Sequence, residues 1–265
     1  MPAWLADWQG DGIIARIQSE ETAEFLNGLS IPVVDVLGVV ESAEFPLVHV
    51  DDVEIAKLAA NYLVDLGYRH FGFVGVKDEN WSNRRRDGFV AALGNVSVFE
   101  TLRNEWETVD QIAQWVADLE KPAGVLVASD QVALGLIEAC RELQVAVPEQ
   151  VSVIGVDNDL PLCEISSPQL SSIRAGHFRV GFEAGLLLDK LMSGQENEEP
   201  QCLVPPVEIV IRSSTDSHAI HDPIVAVGIN FLRSNYAKPL TNEIVARASG
   251  VSRTLFQKRF HAATG

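Results

Sequence analysis

Through residue 215 the sequence alternates short β-rich apolar runs with longer amphipathic stretches, and few folds accommodate that order. The runs are GIIARI (12–17), IPVVDV (31–36), PLVHV (46–50), HFGFVG (70–75), VSVFE (96–100), AGVLVA (123–128), VSVIGV (151–156) and a last one in VEIVIRSS (207–214). Most are barely interrupted by charge, which suits strands covered on both faces of a sheet. The stretches between them have helical spacing. DDVEIAKLAANYLVDLG places Val53, Ala56, Ala60, Leu63 and Val64 largely on one stripe and closes at Gly67, a suitable C-cap. SDQVALGLIEACRELQ opens on Ser129 or Asp130 as N-cap, and RVGFEAGLLLDKLMSG closes at Gly194. Strand alternating with helix predicts an α/β fold with parallel strands.

The pattern changes near the C-terminus. SGQENEEP (193–200) reads as a polar loop, and TDSHAIHDP (215–223) lacks apolar periodicity and reads as a linker. From Ile224 only helices are predicted: IVAVGINFLRSNY, then TNEIVARA, a tight SGV turn at Gly250, and SRTLFQKRF with Phe256 and Phe260 facing inward. Helix, glycine turn, helix is the arrangement in which a second helix enters the DNA major groove. Arg253, Thr254, Gln257 and Lys258 lie opposite the two phenylalanines. Arg and Lys suit guanine acceptors or phosphates, and Gln suits adenine. A solvated face on a small helical cap is the competing reading.

Charge divides the chain the same way. The 265 residues carry a net −17, yet the segment from Asp222 onward holds six Lys/Arg against two acids. Two modules with different partners follow: an acidic one that repels polyanions and a basic one that attracts them. No run of 18 apolar residues occurs, and MPAWLADWQGDG lacks the basic and apolar regions of a signal peptide, so neither a membrane span nor export is expected. Cys140, Cys163 and Cys202 are scattered, as reduced cytoplasmic thiols are. His218 and His221 have metal-ligand identity but no carboxylate cluster beside them, so no metal is expected. Nor is a cofactor or a catalytic residue, because GxGxxG, GxxxxGK[ST] and GxSxG are all absent.

Two resemblances sharpen this. LTNEIVARASGVSRTLFQKRFHAATG resembles the first helix-turn-helix of the arabinose-regulator (AraC) family, with Ser252, Arg253, Phe256, Lys258, Phe260 and Gly265 at the family's positions; Phe256 and Lys258 are mild departures. HVDDVEIAKLAANYLVDLGYRHFGFVG, RRDGF (85–89), ASDQVALG, VPEQVSVIGVDND and SPQLSSIR resemble, in that order, the sugar-repressor and periplasmic-binding-protein superfamily. A sensor of the second kind joined to a reader of the first is the build of bacterial regulators of xylose use.

The resemblance implies a two-lobed, parallel-sheet sensor over 1–214, with lobes at roughly 1–75 plus 170–195 and 76–169 plus 205–214. A linker at 215–222 and a partial reader at 223–265 follow. It also implies a strand and helix ahead of this sequence, hence an unpaired sheet slot, and a second helix-turn-helix behind it, so both ends are expected to be cut. Its implied partners are a pentose, D-xylose above others, double-stranded operator DNA and a second copy in a homodimer. A transporter-associated sugar-binding protein without DNA binding is the alternative.

A sugar offers hydroxyls at its rim and an apolar C–H face, so its site needs planar charged groups and an aromatic platform. By motif, Arg85 bridges hydroxyls, and Asp130 and Asp157 accept from them. Asp130 also suits a helix N-cap, a choice it shares with Ser129. Trp81 suits either stacking on the sugar or the core; Asp51 and Asp52 both suit the start of a helix, with the pocket as the alternative for Asp51.

Overall fold

The computed structural model describes residues 9–40, 44–102, 109–195, 197, 199–216 and 222–264. The sensor contains two sheets. In the first, β1 (Ile13–Ala15), β2 (Val33–Asp35), β3 (Leu47–Val50) and β9 (Gln201–Val204) lie in the order β1-β2-β3-β9, all parallel. The second has the order β10-β8-β7-β6-β4-β5. It comprises β4 (His70–Val76), β5 (Val96–Thr101), β6 (Ala123–Val127), β7 (Val151–Val156), β8 (Ser171–Arg174) and β10 (Glu208–Val210), parallel except for the β10–β8 pair. The α/β reading therefore holds, with two strands, β8 and β9, beyond those predicted.

Helices α1 (Glu20–Asn27) and α7 (His177–Met192) accompany the first sheet. Helices α2 (Asp52–Asp65), α3 (Asn80–Leu93), α4 (Val109–Asp118), α5 (Asp130–Glu142) and α6 (Leu160–Ile165) accompany the second. β6 explains its own sequence. Ala123, Val125 and Val127 pack with α4 and α5, whereas Leu126 packs on the opposite side with Ile55 and Leu63 of α2. Both faces are covered, so every residue of AGVLV is buried and apolar.

The chain crosses between lobes at three places: after Val50, between Arg174 and His177, and between Val204 and Glu208. The boundaries expected near 75 and 170 shift accordingly. β4 cannot belong to the first lobe, because β5 and β6 pair with it on its two edges. β1 pairs directly with β2, Ile13 opposite Val33, and stands at the sheet's outer edge among the described residues.

Thr215, expected to open the linker, is instead 1% exposed and anchored in the second lobe. Residues 217–221, with His218 and His221, lie outside the described residues. Beyond them α8 (Pro223–Ser234), α9 (Asn242–Ala248) and α10 (Arg253–Thr264) pack around Val245, Ala246 and Phe256. Gly228 of α8 makes this packing possible, since a Cβ there would lie 2.4 Å from the Phe256 ring. Gly250, at φ +71, turns the chain from α9 into α10. Among the described residues, no helix is long and apolar enough to cross a membrane.

Candidate ligand cleft and reader face

The C-terminal ends of the strands carry the candidate ligand residues, as in other open α/β sheets. Asp157 follows β7 directly. Its neighbours include His177, the first residue of α7 in the other lobe, whose Nε2 donates to Asp157 Oδ1 at 3.0 Å. Burial pushes the Asp157 pKa up. The His177 hydrogen bond and the charges of Arg85, His177 and Arg16 outweigh this and hold the carboxyl below its usual value. An ionised acceptor thus sits between cations from both lobes.

Arg85 is 3% exposed. Its Nε donates to Asp52 Oδ1 at 2.9 Å, its Nη1 donates to the Ala128 carbonyl, and its guanidinium carbon lies 5.2 Å from the centre of the Trp81 ring. Trp81 is half-buried and donates through Nε1 to Glu79. Asp52 also stands at 3.3 Å from His49 Nε2 and 3.7 Å from Arg84 Nη1. Asp52, the Ala128 carbonyl and the Trp81 ring together hold the Arg85 guanidinium in place.

The two acid choices at helix starts resolve alike. Asp51 is the N-cap of α2 and accepts from the Val53 and Glu54 N–H groups, while its neighbour Asp52 is buried against Arg85. Ser129 is the N-cap of α5 and accepts from Val132, while Asp130 beside it is buried. Asp130 Oδ1 accepts from Ser172 Oγ at 2.6 Å, and Oδ2 accepts from the Asp159 N–H at 2.7 Å. Its oxygens therefore support the turn after β7 from below. Burial pushes its pKa up to about 6, against the opposing pull of the Ser172 and Asp159 hydrogen bonds. Cys163 donates weakly to the same carboxyl.

Sequence reasoning misses three residues here and reads a fourth, Asp52, only as the start of a helix. Asp35 is buried and receives the N–H groups of Ile17, Leu37 and Gly38, tying together the loops after β1 and β2. It is a lone carboxylate within the apolar run IPVVDV, as Asp157 is one after VSVIGV, so a related signal was available. Asp52, Arg16 and His177 carry no local signal, because their partners are distant in sequence.

On the reader, Arg253, Thr254, Gln257 and Lys258 are exposed on α10, while Phe256 and Phe260 stack with centroids 5.7 Å apart. Arg253 Nη1 donates to Glu243 Oε1 of α9 at 2.6 Å, so this guanidinium already braces α10 against α9. Arg259 reaches back to Asp222, the N-cap of α8. Among the described residues no cluster of His, Cys, Asp and Glu fits a metal ion.

The model of the periplasmic binding protein-like domain matches residues 60–215, more than half of the chain. The chain belongs to that family. Among curated relatives of this periplasmic binding protein-like chain, the xylose operon regulatory protein of Escherichia coli K12 is 29% identical over 276 aligned residues. That alignment takes in 98% of this chain and 70% of the relative. The CytR transcriptional repressor of the same organism is 32% identical over 180 residues, covering 65% of this chain and 52% of its own. The solved xylose-binding transcription activator xylR superimposes with a TM-score of 0.86 at 27% identity, over 97% of this chain and 72% of that one. A LacI family regulator from Enterococcus faecium with bound ribose gives 0.68 at 25% identity, over 82% and 83%.

Proposed function

We infer that this protein is a sugar-responsive transcription regulator whose ligand is a pentose, D-xylose first among them, and whose basic C-terminal helices engage double-stranded operator DNA. One observation carries the reading: the similarity to a xylose operon regulator runs through 98% of the chain, across sensor and α8–α10 alike. An isolated sugar receptor would share only the sensor.

In this reading the sugar lies between the lobes. Asp157 accepts hydroxyl protons as a carboxylate, Arg85 donates to neighbouring hydroxyls, and the Trp81 ring offers a flat face beside it. Ser129 presents its hydroxyl from the start of α5. Asp51 and Asp130 act behind this layer, the first as a helix cap and the second as the floor of the Asp157 turn. Ligand favours one spacing of the lobes and, through a homodimer, one spacing of two readers on DNA. Thr254, Gln257 and Lys258 read or grip the duplex, and Arg253 holds α10 in place. The protein acts in the cytoplasm, where operator DNA lies.

Thermal melts and titration calorimetry with D-xylose, D-ribose, L-arabinose and D-glucose test the ligand. A sugar at a hundred times its dissociation constant adds about 2.7 kcal/mol. At this chain length that is a rise of roughly 5–10 °C. A shift with D-xylose that the other sugars do not produce supports the reading, and no shift with any of them refutes it.

A further inference from the structure

Arg212 follows β10 and joins two regions of the second lobe. Its Nη2 donates to Asn158 Oδ1 at 2.8 Å, beside Asp157. Its Nη1 donates to the Leu170 carbonyl at 2.8 Å, and its backbone N–H donates to Ser171 Oγ at 2.7 Å. Ser171 Oγ also meets Thr215 Oγ1 at 2.8 Å, and Tyr62 of α2 reaches the same threonine at 3.2 Å. Ser214 is fully buried: its Oγ donates to the Val153 carbonyl at 2.6 Å and accepts from the Ser171 N–H at 2.8 Å. Residues 212–215 are thus pinned onto β7 and β8, the strands whose ends shape the cleft. Only 216–221 separate this root from Asp222, where α8 begins.

The other end of the Arg212 bridge is strained. Asp157 (φ 106) and Asn158 (φ 54) are consecutive non-glycine residues at positive φ. Positive φ is uncommon for residues other than glycine, and asparagine adopts it more readily than most, so the strain falls mainly on Asp157 and persists only where its surroundings hold it. The Asn158 N–H donates to Ser172 Oγ at 3.0 Å, the Asp159 N–H donates to Asp130, and Arg212 holds the Asn158 side chain. A ligand bonded to Asp157 acts on this turn directly, and any shift it causes is set by its differential affinity for the turn's arrangements.

We propose that Arg212 is a positioning residue that couples ligand binding at Asp157, through the neighbouring Asn158 side chain, to the root of the C-terminal helices, residues 212–215. The coupling rests on the sugar reading above. It needs no direct contact between Arg212 and the sugar, because the guanidinium takes its signal from Asn158 and delivers it through its own backbone and Ser171.

The test uses the full chain, with D-xylose binding measured by calorimetry and amide hydrogen exchange followed at residues 211–216. In the wild type, D-xylose changes exchange there by at least about fivefold, the lower end for coupled sites. Asn158→Gly keeps a residue suited to positive φ and removes the side chain that accepts from Arg212. This variant binds D-xylose within about threefold of wild type, but its exchange change at 211–216 falls below about twofold. Arg212→Lys keeps the charge without the two-pronged reach and behaves likewise. Should Arg212→Lys fail to fold, Asn158→Gly decides alone. A sugar-bound Asn158→Gly protein with the full wild-type exchange change overturns the coupling. So does a sugar-bound wild type with unchanged exchange at the root. Absence of sugar binding to the wild type overturns the functional reading itself, and the coupling with it.

Discussion

His177 and Asp157 face each other across the two lobes, the imidazole Nε2 donating to the carboxylate Oδ1 at 3.0 Å. One residue opens α7 beside the first sheet and the other directly follows β7 in the second, so the pair links the two lobes. The side chains are 56% and 37% exposed, so the pair adds little stability. In the proposed reading it occupies an acceptor that a sugar hydroxyl needs. His177→Ala is therefore expected to change unfolding free energy by less than about 1 kcal/mol. It should tighten D-xylose binding by a few-fold, roughly one exchanged hydrogen bond. Calorimetry on the variant decides: weaker binding would make His177 a sugar contact in its own right.

Asp157 is the acceptor at stake. Asparagine tolerates positive φ, so Asp157→Asn preserves the turn while removing the charge. Loss of a hydrogen bond to a charged group costs about 1.5–3 kcal/mol, or roughly ten- to a hundredfold in affinity. A variant that keeps wild-type sugar affinity and a wild-type melt would remove Asp157 from the site.

What the sequence disclosed here was local. Charge-free β6 and β7, the Gly250 turn and the lone carboxylate after VSVIGV each announce themselves within a few residues. β8 did not, because its buried residues Ser171 and Ser172 are polar and are satisfied by Asp130, Asn158, Arg212, Ser214 and Thr215, none of them adjacent in sequence. The pairs Asp51–Asp52 and Ser129–Asp130 were ambiguous for a related reason. Helix geometry decides that the first member caps and the second turns inward, but only the tertiary partners, Arg85 and Ser172, reveal that the inward carboxylate is accommodated. Lobe membership was misjudged because crossings follow strand pairing, and pairing is not written in any one segment.

Asp130 makes the sensor's stability depend on pH in a definite direction. Its folded value, about 6, lies above the ordinary 3.8, so the folded state holds a proton that the unfolded chain releases. The associated stability is full below the unfolded value and is lost as pH rises through about 6. Asp130→Asn carries no such proton. Relative to wild type it should gain roughly 1–2 kcal/mol between pH 5 and 7.5. Urea unfolding of both proteins across that range measures the difference, and a difference that does not vary with pH would show that Asp130 titrates normally.

On the reader, Gln257 and Lys258 are expected to fail differently. Both are exposed on α10, and only one is charged. Lys258→Ala should weaken binding to all duplexes alike and lower the slope of log K against log salt by about 0.9, one phosphate contact. Gln257→Ala should leave that slope unchanged and cost about 1–3 kcal/mol on operator DNA alone. Titrations of both variants against operator and scrambled duplexes at several salt concentrations separate the two roles. If Gln257→Ala weakens both duplexes equally, α10 grips the backbone without reading bases through Gln257, and specificity would have to come from Thr254 or from DNA shape.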